Sequence, residues 1–321
     1  MASYADRLHD RILIKGTPVV VGIDPRWDLL PEAVQIASAG SSGTIQERTA
    51  SAFETFGKLL IDVVAPLVPA VKPQVAFFEQ LGVAGCRALH AVMRYARQAG
   101  LIVIADAKRG DIGSTAEAYA DAWLAGEDPE AAAWPADALT VNPWLGRDSL
   151  EPFVSCARSR GAGVYVLVRT SNPGAADFQD RPTSDGPLFE CVAQVVRELA
   201  AAECGSHQYG PVGAVVGATW PDQLKTLRQQ LPRVPLLIPG YGSQGSSASQ
   251  CAAAFDDAGL GALINNSRAI NFAWLHKPWS DQFDAHHWQD AVQAATRAMI
   301  ADLALHTSAS QLRPAGSRTP S

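Results

Sequence analysis

The chain has 321 residues, of which 47% are hydrophobic and 18% are charged, and its formal net charge is −6. These values are typical of a soluble globular protein, long enough for one large domain or two ordinary ones. The chain has no basic block, which argues against nucleic acid or an anionic membrane surface as the main partner. It also has neither a signal-like start nor a run of about 18 apolar residues, so no secretory signal and no membrane span are predicted.

The five cysteines are scattered and form no CxxC motif. An odd number of cysteines with no pattern of a disulfide framework favours a reducing compartment. We therefore expect a cytoplasmic protein. The seven histidines show no metal-ligand spacing, so no metal site is predicted.

An extra helix is predicted at about residues 3–13, ahead of the first of eight short apolar runs. These runs are rich in Val, Ile and Leu and nearly unbroken, which is typical of parallel strands buried on both faces. They lie at 18–25, 70–79, 101–108, 138–143, 163–172, 212–219, 234–242 and 261–268.

Helical patterns lie between the runs, at 49–67, 81–100, 187–204 and 221–231. The alternation predicts a (β/α)8 TIM barrel, an α/β fold in one domain over 1–306. A doubly wound sheet is the alternative on periodicity alone. Long connections are predicted at 26–48 and 173–186, the second either a lid or a plain surface excursion. The polar tail 307–321 is predicted to be disordered.

The third run ends in Asp106 and Lys108, and Asp111 follows shortly after. Asp106 and Lys108 point to the same face of a strand, at the end where barrels build their active sites. A lysine flanked by carboxylates stays protonated, so Lys108 is predicted to be a cation that stabilises a carbanion rather than a Schiff-base lysine. A surface ion pair at a strand end is the alternative.

Two further charged residues belong to the same predicted end of the barrel. Lys72, on the second run, needs a carboxylate partner, and Asp106 on the next strand is the natural candidate. The result is an alternating array of Lys72, Asp106, Lys108 and Asp111. Asp24, after the first run, offers a carboxylate to sugar hydroxyls, although a simple Asp-Pro turn explains it too.

The sequence after the seventh run, PGYGSQGSSASQ (239–250), predicts an anion cradle of backbone N–H groups, with Ser246 or Ser247 capping a short helix. Arg268 follows the eighth run and suits a phosphate, unless it is an ordinary surface arginine.

Uncharged side chains suited to a polar ring follow the middle strands. Ser171 and Asn172 come after the fifth run, and Asn142, which an Asn-Pro turn explains nearly as well, comes after the fourth. Ser114 or Thr115 is the candidate cap of the helix that follows Gly110.

Together these residues resemble the orotidine 5′-phosphate decarboxylases, above all their longer bacterial subgroup. The D-x-K-x-x-D motif stands in DAKRGDIGST, and GIDP, KPQVAFFE, TVNPWLG, RTSNPGA and PGYGSQG match as well. These matches cover about residues 17–270 and are specific together, whereas D-x-K-x-x-D alone is shared across a wider superfamily. One departure is that Asn266 and Ser267 precede Arg268 where many relatives have glycine before the arginine.

The resemblance implies a homodimer of barrels that converts orotidine 5′-phosphate to uridine 5′-phosphate and CO2, the last step of pyrimidine synthesis, with no metal or organic cofactor. It implies that Lys108 donates the proton to ring carbon six and that Asp106 lies against the departing carboxylate. Lys72 and Asp111 complete the array, and Asp111 and Thr115 reach into the neighbouring subunit's site.

The resemblance also implies binding roles for several polar residues. The expected contacts are ribose for Asp24, pyrimidine for Ser171, and phosphate for Gln244 with Arg268, and Asn142 is a further substrate-binding candidate. Two rival functions stay open. The first is a Mg²⁺-dependent aldolase or decarboxylase acting on sugar phosphates, against which the ammonium of Lys72 argues because it would occupy the metal's space. The second is a non-catalytic nucleotide-binding barrel, which gains little from crowded charges.

Overall fold

The computed structural model describes residues 2–39, 43–201, 204–242 and 246–312. Eight parallel strands close into a barrel in which every strand pairs with its neighbours in the chain and the last pairs with the first. The predicted (β/α)8 barrel is therefore confirmed, and the doubly wound alternative is wrong. The strands are β1 Val19–Ile23, β2 Ala70–Pro73, β3 Ile102–Arg109, β4 Ala138–Val141, β5 Gly163–Arg169, β6 Val212–Val216, β7 Leu236–Ile238 and β8 Ala262–Asn266.

Helices surround the barrel and bury their apolar faces against the outside of the strands. In the described ranges they are α1 Tyr4–Lys15, α2 Glu32–Ala39, α3 Ile45–Val64, α4 Val75–Glu79, α5 Gly82–Gln98, α6 Gly113–Trp123, α7 Arg147–Arg160, α8 Leu188–Ala200, α9 Pro221–Gln230, α10 Ala248–Cys251, α11 Arg268–Asn271 and α12 Trp288–His306. The four helical patterns predicted between strands correspond to α3, α5, α8 and α9.

The second strand is shorter than its apolar run predicts. It ends at Pro73, and Val75–Glu79 forms a helical turn instead. Val75 and Phe78 are both buried, three residues apart, as a helix requires for side chains that share one face. The apolar residues before and after Lys72, Pro73 and Gln74 therefore belong to different elements, the first to a strand and the second to a helix.

The helix after β3 begins at Gly113, with Ile112 as its N-cap residue and no side-chain capping bond. The predicted caps, Ser114 and Thr115, are wrong because both lie inside the first turn. A glycine with φ 52° opens the helix, a conformation that glycine adopts without strain.

α1, the extra helix predicted ahead of the first strand, closes the amino-terminal end of the barrel. Ser3 caps it by accepting a hydrogen bond from the backbone of Asp6. Its buried side chains pack on the lower barrel interior, and the Tyr4 hydroxyl donates to the Tyr165 hydroxyl at 3.0 Å. The carboxyl ends of the strands stay open for a site.

The three segments predicted to be irregular contain more structure than expected. In 173–186, Pro173–Asp177 form a 3-10 helix, and Pro182–Thr183 pairs with Gly186–Pro187 in a short antiparallel hairpin. The connection 26–48 includes α2, and residues 40–42 of its SAGSSGT stretch lie outside the described residues. The predicted tail from 307 is wrong as far as residue 312. Ser308–Gln311 form a 3-10 helix, and Ala309 and Leu312 are buried because they pack beside α1. The rest of the tail lies outside the described residues.

None of the helices described is long and apolar enough to cross a membrane. All five cysteines fall within the described ranges, and all are free thiols.

His9 on α1 gives the fold a pH dependence. Its side chain is buried, its Nδ1 lies 2.7 Å from the carbonyl oxygen of Ala5, and its ring packs on Tyr209. Burial lowers the pKa of His9 from its ordinary 6.5 to about 4. The unfolded chain therefore binds more protons in this window. The contribution of the neutral His9 ring to the free energy of unfolding is fully present above pH 6.5. It is lost as the pH falls through about 4.

We expect His9 to account for about 2 kcal/mol of lost unfolding free energy between pH 7 and pH 5. His9→Gln keeps a donor for the Ala5 carbonyl but does not titrate, so its stability should fall less over the same interval. Urea denaturation of both proteins at the two pH values measures the difference. An equal pH dependence would contradict this role of His9.

Candidate active site

The carboxyl end of β3 has an irregular backbone. The ladder between β3 and β4 shifts register between Ala105 and Arg109, and Lys108 has a φ of 49°. A lysine rarely adopts this left-handed conformation, and such strained residues cluster at functional sites. The Lys108 N–H donates to Thr140 Oγ1 at 3.0 Å, which holds the irregular segment against β4.

Asp106 is the centre of a hydrogen-bonded array at this end of the barrel. Its Oδ2 accepts from Lys72 Nζ at 2.6 Å and from Gln74 Nε2 at 2.9 Å. Its Oδ1 accepts from Lys108 Nζ at 2.6 Å and from Thr140 Oγ1 at 3.0 Å. The structure thus brings together three of the four predicted array members, on β2 and β3.

The side chains of this array stabilise one another's ionised forms. Burial alone would raise the pKa of Asp106, but Lys72 and Lys108 hold that pKa well below its usual range. Burial opposes the charge of Lys72 as well, yet Asp106 and Asp24 raise its pKa above the ordinary value. Asp106 is therefore a carboxylate and Lys72 an ammonium over the whole neutral range.

A cavity of about 210 Å³ opens beside the array. Polar groups of β3 and β4 form one side and the segment after β5 forms the other, with apolar side chains between them. This combination of apolar walls and a few convergent polar groups suits a small planar ligand. The lining residues are Lys72, Asp106, Lys108, Thr140, Leu167, Thr170, Ser171, Asn172, Val215, Leu237 and Pro239.

Ser171 lines this cavity, as the sequence predicts, and a glycine directly after β6 makes room for it. A Cβ on Gly217 would lie 2.7 Å from Ser171 Cα and 2.9 Å from its backbone nitrogen, closer than real Cβ contacts allow. Gly217 therefore fixes how closely the two segments approach each other.

Asp24 lies beyond the end of β1, near the array. Its backbone N–H donates to Asn271 Oδ1 at 3.0 Å, and Asn271 Nδ2 donates to the Gly22 carbonyl at 2.7 Å. Burial raises the pKa of Asp24, although Lys72 opposes this shift. Its Oδ1 is buried and accepts no hydrogen bond from any described residue. A hydrogen bond from the Ser267 hydroxyl to the Asp24 carboxylate also lowers its pKa, and Asp24 is not among the residues that line the cavity.

The loop after β7 has the glycine-rich turn that its sequence predicts. Gly240 and Gly242 have φ of 104° and 70°, and the Gly242 N–H donates to the Ser246 carbonyl at 2.9 Å. Ser247, one of the two predicted caps, is the N-cap residue of α10. Gln244, the predicted phosphate ligand, lies outside the described residues.

Arg268 begins α11, directly after β8, and its side chain is exposed rather than part of the cavity lining. The preceding Asn265 and Asn266 are buried, and no described residue donates a hydrogen bond to their Oδ1 atoms. The Nδ2 of Asn266 would lie 3.4 Å from a Cβ placed on Gly242, so β8 meets the glycine-rich loop here.

Besides Asp24 and Arg268, three further predicted site residues do not line the cavity of their own chain. Asp111 is bound locally, because its Oδ1 accepts from the Ile112 N–H at 2.8 Å. Thr115 is exposed on α6. Asn142 is exposed, and its Oδ1 accepts from the Trp144 N–H at 3.0 Å, which is the turn named as the alternative.

Sequence reasoning missed Gln74 and Thr140, which both donate to Asp106. Gln74 stands two residues after Lys72, so strand alternation would have placed it on the same face. Thr140 would have followed from the same rule, two residues before Asn142. Among the residues described, no group of three or more His, Cys, Asp or Glu residues could hold a metal ion.

A closed parallel barrel with ionised side chains and a cavity at the carboxyl ends of its strands has the architecture of a (β/α)8-barrel enzyme. Residues 17–273 match the model of the orotidine 5′-phosphate decarboxylase / HUMPS family. The chain belongs to this family.

Relatives span nearly the whole chain. An orotidine 5′-phosphate decarboxylase of Rhodopirellula baltica is 49% identical over 92% of this chain and 97% of its own length. One from Deinococcus radiodurans is 41% identical over 84% of this chain and 90% of its own. The solved structure of Leishmania donovani OMP decarboxylase superposes with a TM-score of 0.71 at 31% identity, covering 95% of this chain and 98% of that one.

Proposed function

We propose that this protein decarboxylates orotidine 5′-phosphate to uridine 5′-phosphate and CO2, the last step of pyrimidine synthesis. The observation that carries the proposal is the array of Lys72, Asp106 and Lys108, which lines a cavity at the mouth of the barrel. Two relatives that cover most of the chain are named for this activity.

The proposed reaction is a direct decarboxylation. The bond between ring carbon six and the carboxylate breaks, its electron pair stays on carbon six, and CO2 leaves. The resulting carbanion lies in the ring plane, where the π system cannot delocalise it. A fixed ammonium stabilises charge as it forms, and Lys108 Nζ then donates a proton to carbon six. Asp106 disfavours the substrate carboxylate by like-charge proximity.

The remaining site residues are proposed to hold the nucleotide. Asp24 would accept from ribose hydroxyls through its carboxylate, and Ser171 would contact the pyrimidine. The glycine-rich loop with Gln244, together with Arg268, would bind the phosphate. Binding energy from this remote group is available to orient the ring at the array. Asn142 is proposed to bind substrate too, through its Nδ2, because its Oδ1 accepts the turn hydrogen bond from the Trp144 N–H.

We also propose a homodimer in which Asp111 and Thr115 reach the partner's site. Both residues lie outside their own cavity, and apolar side chains are exposed around them. Ile112 is 55%, Trp144 68% and Leu145 50% exposed. Exposed apolar groups at the mouth suit a second copy of the chain. The cytoplasm is the proposed compartment, which the five free thiols favour.

Mixing two inactive variants tests the shared site. Lys108→Ala and Asp111→Ala, combined in equal amounts under conditions that exchange subunits, should recover about a quarter of wild-type activity, because half of the dimers carry one intact site. Two Lys108→Ala samples mixed together are the control. A mixture as inactive as its parents would place Asp111 outside the partner's site.

The rival Mg²⁺-dependent reaction on sugar phosphates is disfavoured by the same array. Lys72 Nζ lies 2.6 Å from Asp106 Oδ2 and so occupies the position that a cation would take beside this carboxylate. Product analysis separates the two functions. Incubation with orotidine 5′-phosphate should yield uridine 5′-phosphate and CO2 in equal amounts. Conversion of a sugar phosphate that requires Mg²⁺, with no uridine 5′-phosphate formed, would support the rival instead.

A further inference from the structure

Arg169, the last residue of β5, is a fully buried arginine outside the catalytic array. Its side chain is 0% exposed, and its guanidinium lies 4.2 Å from the centre of the Trp220 ring. The ladder between β5 and β6 shifts register between Leu167 and Arg169, so regular pairing ends here. Sequence reasoning assigned no role to this residue.

The partners of Arg169 come from the loop that follows β5. Its Nη2 donates to Asp180 Oδ2 at 3.0 Å, and its Nη1 lies 3.4 Å from Gln179 Oε1. A buried guanidinium requires such a carboxylate, since an unpaired buried charge is costly. The ion pair therefore anchors the loop to the end of the strand.

The same groups form hydrogen bonds with the N–H, the carbonyl and the hydroxyl of Thr170, which lines the cavity. Its N–H donates to Gln179 Oε1 at 2.8 Å, and Gln179 Nε2 donates to its hydroxyl at 2.9 Å. Its carbonyl accepts from Arg169 Nη1 at 3.2 Å and from Trp220 Nε1 at 3.2 Å. Thr170 is the first of three consecutive residues that form one wall of the cavity.

We propose that Arg169 and Asp180 are positioning residues for the reaction. Their ion pair holds the wall 170–172 against the cavity, and this wall sets where the pyrimidine ring lies relative to Lys108. The inference rests on the proposed function for its substrate. A small displacement of the wall would misplace the ring, and misplacements of about 1 Å cost up to about 100-fold in rate.

Asp180→Ala tests the proposal, because Asp180 lies on a half-exposed loop outside the barrel strands. We expect about a tenfold loss of kcat/KM for orotidine 5′-phosphate and about a tenfold weaker Kd for uridine 5′-phosphate. The Kd for ribose 5-phosphate, which lacks the pyrimidine, should not change. Arg169→Lys keeps the charge but not the planar fork, and we expect the same pattern from it.

Asp177→Ala is the matched control, since it removes the same charge from the same loop at an exposed position. It should leave both Kd values at the wild-type level. Equal Kd values for Asp180→Ala and Asp177→Ala would overturn the proposal. Equal weakening of both ligands by Asp180→Ala would overturn it too, because that pattern reports general loosening rather than a displaced pyrimidine wall.

Hydrogen exchange of the ligand-free protein separates this inference from the proposed function. The Thr170 amide should exchange faster in Asp180→Ala than in Asp177→Ala, whatever the substrate is. Unchanged exchange would overturn the anchoring role. A wild-type protein that fails to convert orotidine 5′-phosphate, while the exchange difference is present, would refute the function and leave the anchor in place.

Discussion

Lys108→Ala is expected to abolish the conversion of orotidine 5′-phosphate, with a loss of kcat of at least about 10³-fold. The variant keeps the buried pair of Lys72 and Asp106 but lacks the ammonium that would stabilise the carbanion and protonate it. Asp106 still accepts from Gln74 and Thr140, so the cavity wall is retained. Steady-state kinetics and the Kd for uridine 5′-phosphate measure the two effects separately.

The fold of this variant should be intact. The Lys108 side chain is 46% exposed, so its ion pair with Asp106 contributes about 1 kcal/mol or less to the unfolding free energy. A variant that binds uridine 5′-phosphate without turnover would assign the chemistry to Lys108. Turnover within tenfold of wild type would remove Lys108 from the mechanism and reopen the non-catalytic or metal-dependent alternatives.

Lys72→Ala should affect both stability and activity. Its side chain is 6% exposed, and its removal takes away a positive charge that lies beside the carboxylates of Asp106 and Asp24. We expect the unfolding free energy to fall by about 3 kcal/mol, because removing the buried partner leaves the buried Asp106 carboxylate with only the half-exposed Lys108 as a counter-charge. The pKa of Asp106 should rise, since Lys72 contributes to holding it low. Activity should fall by at least about 10²-fold.

Lys58→Ala is the matched control for that loss. Lys58 also pairs with a carboxylate, Glu54, but the two side chains are 37% and 33% exposed. Removing it should change the unfolding free energy by about 0.5 kcal/mol or less. Urea denaturation of the three proteins gives the comparison. A Lys72→Ala variant as stable as Lys58→Ala would show that the array is not held by its buried ion pair.

The barrel was predictable from sequence because parallel strands buried on both faces leave apolar runs, and eight such runs alternate with helical patterns. The Asp106 array was predictable for a related reason, since charged residues at the carboxyl ends of buried strands need partners. The end of the second strand was missed although Lys72, Pro73 and Gln74 interrupt the apolar residues there, because the four apolar residues that follow fit a strand as well as a helical turn. The register shift at Lys108 likewise leaves no periodic signal.

Interactions between distant segments were also beyond sequence reasoning. Arg169 and Asp180 are separated by a loop whose path decides whether they meet, and nothing in their spacing reports it. The same limit applies to Asp111, whose proposed partner is in another copy of the chain. Lys72 was the exception, because its buried strand lies beside β3 and its charge demanded a carboxylate there.

The most direct test of metal-free decarboxylation is the absorbance loss of orotidine 5′-phosphate mixed with purified protein in EDTA, for wild type and Lys108→Ala. We predict that wild type consumes the substrate at a rate that EDTA does not change, and that Lys108→Ala does not consume it. Wild-type protein that leaves the substrate intact, or that acts only when Mg²⁺ is restored, would contradict the account.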